Sequence, residues 1–255
     1  MADWSGFVVA GILVLIRVSG MMVFVPFFSS DAFPRTVKAV FTLLLAALLT
    51  PIAANHPGAV PALGLISVLG ELSTGMLFGL SLTLLLEMLN FSGQLLGLQF
   101  SFSLVNVLDP NSSIETPLLS QLLNTIGLLV LLAAGLDRTL LSALMHTFVA
   151  VPVGTAWMAT RTSLALVQMT GGVFLAAVQL SAPVIAATML VDVVLALVGR
   201  LSPQLPVLFV SIPLKTLIGY VILIGSLAVW PRFIEARFDG LLNQGMRLVL
   251  AAHRA

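Results

Sequence analysis

"APVIAATMLVDVVLALVGRLSPQLPVLFVSIPLKTLIG", residues 182–219, sets two apolar runs around one polar turn, with a single acid or lysine inside each run. A helix crossing the hydrocarbon core of a bilayer needs about 20 mostly apolar residues, and both runs reach that length when their flanks are included. The pattern predicts two helices folded back at Leu201–Pro206. Asp192 and Lys215 then lie at similar depth, each about ten residues from the turn. A charge at the bilayer centre costs roughly 3 kcal/mol, and more on a lone helix. Either the helix carrying Lys215 does not face lipid, or the lysine has a partner. We expect Asp192 and Lys215 to pair or to share a polar seam. Such a pair either fixes helix register or relays protons. Pro183 and Pro213 each remove a backbone donor, which predicts a bend or a freed carbonyl inside each apolar run.

The rest of the chain has the same character. Of its 255 residues, 59% are hydrophobic and 8% charged, with a mean hydropathy of +1.14. A soluble domain carries roughly a quarter charged residues, so this chain lacks the means to cover a water-facing surface. It reads as an all-α, polytopic membrane protein. The net charge of +1 offers no basic region for nucleic acid. The absence of cysteine excludes disulfides and thiolate metal sites. The opening MADWSGFVVAG has an aspartate and no basic stretch before its apolar run, so we expect the first apolar segment to remain as a structural helix.

Candidate helical segments are 7–28, 38–54, 62–90, 118–134, 139–151, 162–198 and 205–230, with 139–151 too short to count as a span. Turn chemistry separates several of them: Pro34, PIAANHPGAVP at 51–61 and DPNSSIETP at 109–117. Seven crossings with the N-terminus outside put Arg35, Lys38, Arg161, Arg232, Arg237, Arg247 and Arg254 inside, and only Arg138 and Arg200 outside. Six crossings with a cytoplasmic C-terminus move Arg35 and Lys38 to the other side. Both schemes leave the basic tail in the cytoplasm. Segments 62–90 and 162–198 would be roughly 43 and 55 Å long as straight helices, too long to stand upright in a core of about 30 Å. They must tilt, break or project.

Five ionisable residues fall inside apolar segments: Arg17, Glu71, Glu87, Asp192 and Lys215. Such residues face a bundle interior, a partner or an aqueous path, and two bases with three acids allow pairing within one chain. Two glycine pairs, Gly75 with Gly79 and Gly93 with Gly97, are offset by five helical turns, so an unbroken helix presents all four on one face. Small residues at this spacing let helix backbones approach closely, although chance in a glycine-rich chain gives the same spacing. There is no phosphate-binding glycine loop, no dinucleotide fingerprint and no nucleophile elbow. His56, His146 and His253 lack metal-ligand spacing. Asp109 and Glu115 read as turn and cap residues. Neither an enzyme nor a cofactor is expected.

Four stretches, taken in order, resemble the FliR/SctT family of type III secretion export gate subunits. They are RVSGMMVFVPFFSSDAFPRTVKAVFTLLLAALLTP at 17–51, ELSTGMLFGLSLTLLLEMLNFSGQLLGLQFSFSLVNVLDP at 71–110, PLLSQLLNTIGLLVLLAAGLDRTLLSALMHTFVAVPVG at 117–154, and the 182–219 hairpin. Pro206 and Leu136-Asp137 depart from the residues common in that family. The resemblance implies a FliP-like helical region over 1–160 and a FliQ-like helical hairpin with a basic tail over 161–255. It also implies assembly with FliP-like and FliQ-like subunits, alongside FlhA-like and FlhB-like export components, in the bacterial inner membrane at the flagellar basal body. The function implied is a gated pore for unfolded flagellar proteins. Energy would come from the proton gradient and a separate ATPase. By the same resemblance the loop 100–117 helps plug the pore, with Phe100, Phe102, Leu104, Val105, Val107, Leu108, Asp109 and Pro110 as its apolar bulk and hinge. An SctT-type injectisome subunit is the alternative. A self-contained secondary transporter using Asp192 and Lys215 is a third reading, and it would call for an internal repeat.

Overall fold

A computed structural model of the chain describes residues 4–25, 34–100, 118–156, 161–202, 204 and 207–253. All regular structure among them is helical: α1 (Trp4–Met22), α2 (Arg35–Ala54), α3 (Leu65–Gln99), α4 (Leu118–Ala133), α5 (Leu136–Ala150), α6 (Arg161–Leu201), α7 (Val207–Ser226) and α8 (Trp230–His253). Five of these, α1, α2, α3, α6 and α7, are long and apolar enough to cross a membrane, and α4 with α5 would make a sixth if counted as one span. The chain is an all-α polytopic membrane protein, as its composition requires. The two overlong segments are continuous helices of 35 and 41 residues, and the second passes through Pro183 without ending. The stretch 205–230, read as one segment, ends as a helix at Ser226. The basic tail that follows is a helix of its own.

Helix ends follow local chemistry. Gly135, at φ 68°, takes the left-handed conformation that closes α4 without a side-chain clash and lets α5 start one residue later. Val151 is extended because Pro152 follows it, so α5 stops there. Its last carbonyls are left without helical partners.

The chain divides into two compact units. The first comprises Met1–Leu85, Leu131–Gly171 and Ala236–Ala255, and the second Leu86–Val130 and Gly172–Glu235. In the first unit α1 and the opening half of α3 run parallel, since contacts advance together along both. Gly75 lies against the Arg17 backbone, Gly79 against the Met21 carbonyl, and Thr83 donates to the Phe24 carbonyl. α2 packs against α1, with Thr50 in contact distance of Gly11. α8 buries Phe238, Leu241, Leu248 and Val249 at helical spacing and exposes Arg247 on the other side. Gly245 brings its backbone against Ser81 and Phe78 of α3.

In the second unit the end of α3 meets α4 in antiparallel fashion, with Gly93 against the Ser120 backbone and Gly127 against Leu89. It meets α6 in parallel fashion through two polar contacts seven residues apart on each helix. Ser92 and Ser181 hydroxyls lie 2.6 Å apart, and the Thr188 hydroxyl donates to the Gln99 side-chain oxygen at 3.1 Å. Seven residues is two helical turns, so both contacts fall on one seam. α7 folds back along α6.

Candidate functional site

Two ion pairs hold four of the five charges singled out in the apolar segments. The deeper lies in the first unit. Arg17 on α1 and Glu71 on α3 are 1% and 0% exposed, and the guanidinium Nε donates to Glu71 Oε2 at 2.5 Å. Burying two charges is unfavourable unless their remaining hydrogen-bonding capacity is also met. Here the end of α5 supplies part of what is missing, while Nη2 is buried without a hydrogen-bond partner among the described residues. Arg17 Nη1 donates to the carbonyls of Thr147 at 3.1 Å, which also accepts the Val151 N–H, and of Val151 at 2.9 Å, at the residue where the helix stops. These carbonyls sit at the negative end of the α5 dipole, which favours a cation. The guanidinium also stands 4.4 Å above the Phe148 ring, a cation–π contact.

Glu71 uses its second oxygen to accept the Gly154 backbone N–H at 2.8 Å. Gly154 has φ 85°, and a Cβ there would strike the Val60 carbonyl, so only glycine fits. Val60 N–H in turn donates to the Val153 carbonyl at 3.0 Å. One arginine and one glutamate thus tie together α1, α3, the end of α5 and the two loops at 55–64 and 151–156.

The second pair lies in the second unit. Lys215 Nζ on α7 is 2.7 Å from Asp192 Oδ2 on α6, with the lysine side chain 16% and the aspartate 50% exposed. The hairpin geometry read from the turn brings this pair together. Its surroundings differ from those of Arg17, because only 22% of the apolar window of α6 and 11% of that of α7 is covered by the chain itself. Glu87 is exposed on α3 and belongs to neither pair.

Of the four glycines at packing spacing, three meet another helix backbone within their own unit. Gly75 meets Arg17, Gly79 meets Met21, whose carbonyl oxygen an added Cβ would reach at 2.6 Å, and Gly93 meets Ser120. Gly97 is buried too, but a Cβ added there meets nothing within 4 Å among the described residues. Phe100, the first residue of the expected plug, is buried at the end of α3, stacked on Tyr220 of α7 at 4.9 Å and pressed against Gly219. Phe102, Leu104, Val105, Val107, Leu108, Asp109 and Pro110 lie outside the described residues. Among the described residues no three His, Asp or Glu side chains converge as a metal site would require.

Sequence reasoning missed the α5 carbonyls, Phe148, Gly154 and the Ser92–Ser181 seam. A buried helix end leaves acceptors that need a donor, and the VPVG run that stops α5 was the available signal.

The family model for bacterial export proteins, family 1, matches residues 8–241. The flagellar biosynthetic protein FliR of Bacillus subtilis (strain 168) is 28% identical over 224 residues, 86% of each chain. That of Caulobacter vibrioides is 28% identical over 234 residues, covering 91% of this chain and 93% of its own. That of Escherichia coli (strain K12) is 24% identical over 230 residues, covering 90% and 88%.

Proposed function

This chain belongs to the bacterial export proteins, family 1, and on that premise we propose that it is a core subunit of the flagellar type III protein export gate. In this reading it joins FliP-like and FliQ-like subunits in the inner membrane at the basal body, next to FlhA-like and FlhB-like components, and passes unfolded flagellar proteins. Its role is to shape a conduit rather than to catalyse. Residues 1–160 correspond to the FliP-like part and 161–255 to the FliQ-like part. The flagellar reading is preferred to the injectisome one because the relatives above are all named for flagellar biosynthesis.

The observation that carries the assembly is the half-exposed Asp192–Lys215 pair on two apolar helices that the chain itself leaves largely uncovered. A lone chain in lipid would present that carboxylate to hydrocarbon, which is strongly unfavourable. Neighbouring subunits would cover it. A self-contained transporter gains nothing from leaving α6 and α7 bare.

Native mass spectrometry of the tagged chain, co-expressed with its FliP-type and FliQ-type gene neighbours and extracted in detergent, tests the assembly. A complex holding all three kinds of subunit is the expected result. A lone monodisperse chain would overturn the reading.

The plug belongs to the same proposal. Phe100, buried against Tyr220 and Gly219, would anchor the start of the 100–117 loop to α7. Deleting about ten residues within 104–115 is then expected to make cells permeable to small solutes while the complex still assembles. Wild-type permeability in a strain that accumulates the shortened chain would remove the plug assignment.

A further inference from the structure

In the second unit, α3 and α4 carry a strip of polar side chains along one flank of their contact. Glu87, Asn90 and Gln94 follow at intervals of three and four residues on α3, and Gln121 and Asn124 at an interval of three on α4. Each set therefore lies on one helix face. The two faces adjoin: Asn124 Nδ2 donates to Asn90 Oδ1, and Ser120 Oγ donates to the Asn90 carbonyl at 2.9 Å. The helices run antiparallel with Gly93 on Ser120 and Gly127 on Leu89, a register that puts Gln94 level with Gln121.

Glu87, Gln94 and Gln121 are exposed, and no hydrogen bond or ion pair engages their side chains among the described residues. By contrast, Leu43, Leu44 and Leu48 are exposed on α2, and Leu217, Val221 and Ile224 on α7. Those faces suit lipid or the apolar side of another helix. The strip does not, because an unpaired amide or carboxylate in hydrocarbon is costly. It requires water or a polar partner.

The chemistry of the strip narrows that partner. A carboxamide both donates and accepts hydrogen bonds, the same two capacities that a peptide group offers. Four amides and one carboxylate carry a single charge, too little to select among chains by sign. The strip thus suits contact with extended main chain of any sequence. Its position points the same way. Gln94 stands six residues before Phe100, and Gln121 four after position 117, so the strip occupies the two helices that the 100–117 loop joins.

We propose that this strip borders the path of the exported polypeptide and hydrogen-bonds its backbone through Gln94 and Gln121. The inference rests on the export reading above and names the surface of this chain that meets the substrate.

The chain has no cysteine, so Gln94→Cys and Gln121→Cys each give a single reactive point on an exposed position. Each variant is assembled with its partner subunits in membranes. Export substrates with one cysteine in their extended segment are then stalled there by a stably folded C-terminal domain. Bismaleimide treatment is expected to join substrate to both positions, in severalfold higher yield than to Leu190→Cys or Leu217→Cys, which lie exposed on the apolar faces of α6 and α7. The double variant Gln94→Leu with Gln121→Leu is expected to accumulate and assemble like the wild-type and to slow export roughly fivefold, the factor carried by about one hydrogen bond. Gln94→Asn with Gln121→Asn, which keeps both amides, is expected to restore most of the rate.

Cross-linking of these cysteines to a neighbouring subunit in place of substrate would overturn the proposal, as would export at the wild-type rate by the double leucine variant. A stalled substrate that cross-links to the FliP-like subunits but to neither position would overturn the strip and leave the export reading standing. A lone chain in the native mass spectrum would remove both.

Discussion

Arg17→Leu is expected to stop the protein accumulating in membranes, or to lower the melting midpoint of the purified complex far more than any exposed substitution. The variant leaves Glu71 as an unpaired carboxylate at 0% exposure, and removing one partner of a buried pair typically costs about 3–5 kcal/mol. That is a large share of a folding free energy on the order of 5–15 kcal/mol. It also removes the donor to the Thr147 and Val151 carbonyls, so the end of α5 loses its cap in the same step. Glu71→Gln probes the other side. The amide oxygen still accepts from Gly154, but the arginine charge stays buried without a counter-ion, so a loss of similar direction is expected. The double variant Arg17→Leu with Glu71→Leu removes both charges and is expected to recover part of the loss, giving a coupling energy by double-mutant cycle. Membrane abundance by immunoblot and thermal unfolding in detergent measure all three. An Arg17→Leu protein that accumulates and melts like the wild-type would show that the pair does not hold this unit together.

The contrast between the two ion pairs marks how far the sequence could be read. Asp192 and Lys215 flank one short turn, so a hairpin brings them to the same depth with no further information. Arg17 and Glu71 stand out equally well as charges in apolar runs, yet they are 54 positions apart with α2 between them, and nothing local selects the partner. The acceptors on α5 are more distant still and are backbone atoms, which carry no residue-type signal. Apolar length and the turn residues made the all-α class and most helix bounds legible. The tail was legible only as basic, because its alternation of buried Phe238 and Leu241 with exposed Asp239 and Arg247 becomes meaningful once Gly245 is seen against Ser81. Spacing alone gave the four glycines on α3. It did not tell which of them meet a backbone, since Gly97 shares the spacing and a Cβ there meets nothing within 4 Å among the described residues.

That difference supplies the second large effect. Gly75→Leu is expected to prevent accumulation, whereas Gly97→Leu is expected to leave the level unchanged. A Cβ at position 75 would drive into the Arg17 carbonyl oxygen and come within 3.1 Å of the Met21 nitrogen. Both are backbone atoms of α1, so no rotamer change relieves the clash, and overpacking typically costs about 1–3 kcal/mol even where side chains can adjust. Here α1 itself must move away from α3, and Arg17 rides on α1, so its 2.5 Å contact with Glu71 is lost together with the packing. The effect of Gly75→Leu should therefore approach that of Arg17→Leu, and combining the two should add little, because both act by undoing the same contact. At position 97 a leucine adds a good helix former where glycine is the weaker one by about 1 kcal/mol, and its Cβ meets no atom within 4 Å among the described residues. If Gly97→Leu accumulates normally but no longer co-purifies with the FliP-like or FliQ-like subunits, its open face is where one of them packs. If Gly75→Leu is tolerated, α1 and α3 do not approach as closely as their glycines allow, and the buried pair would have to bridge a wider gap.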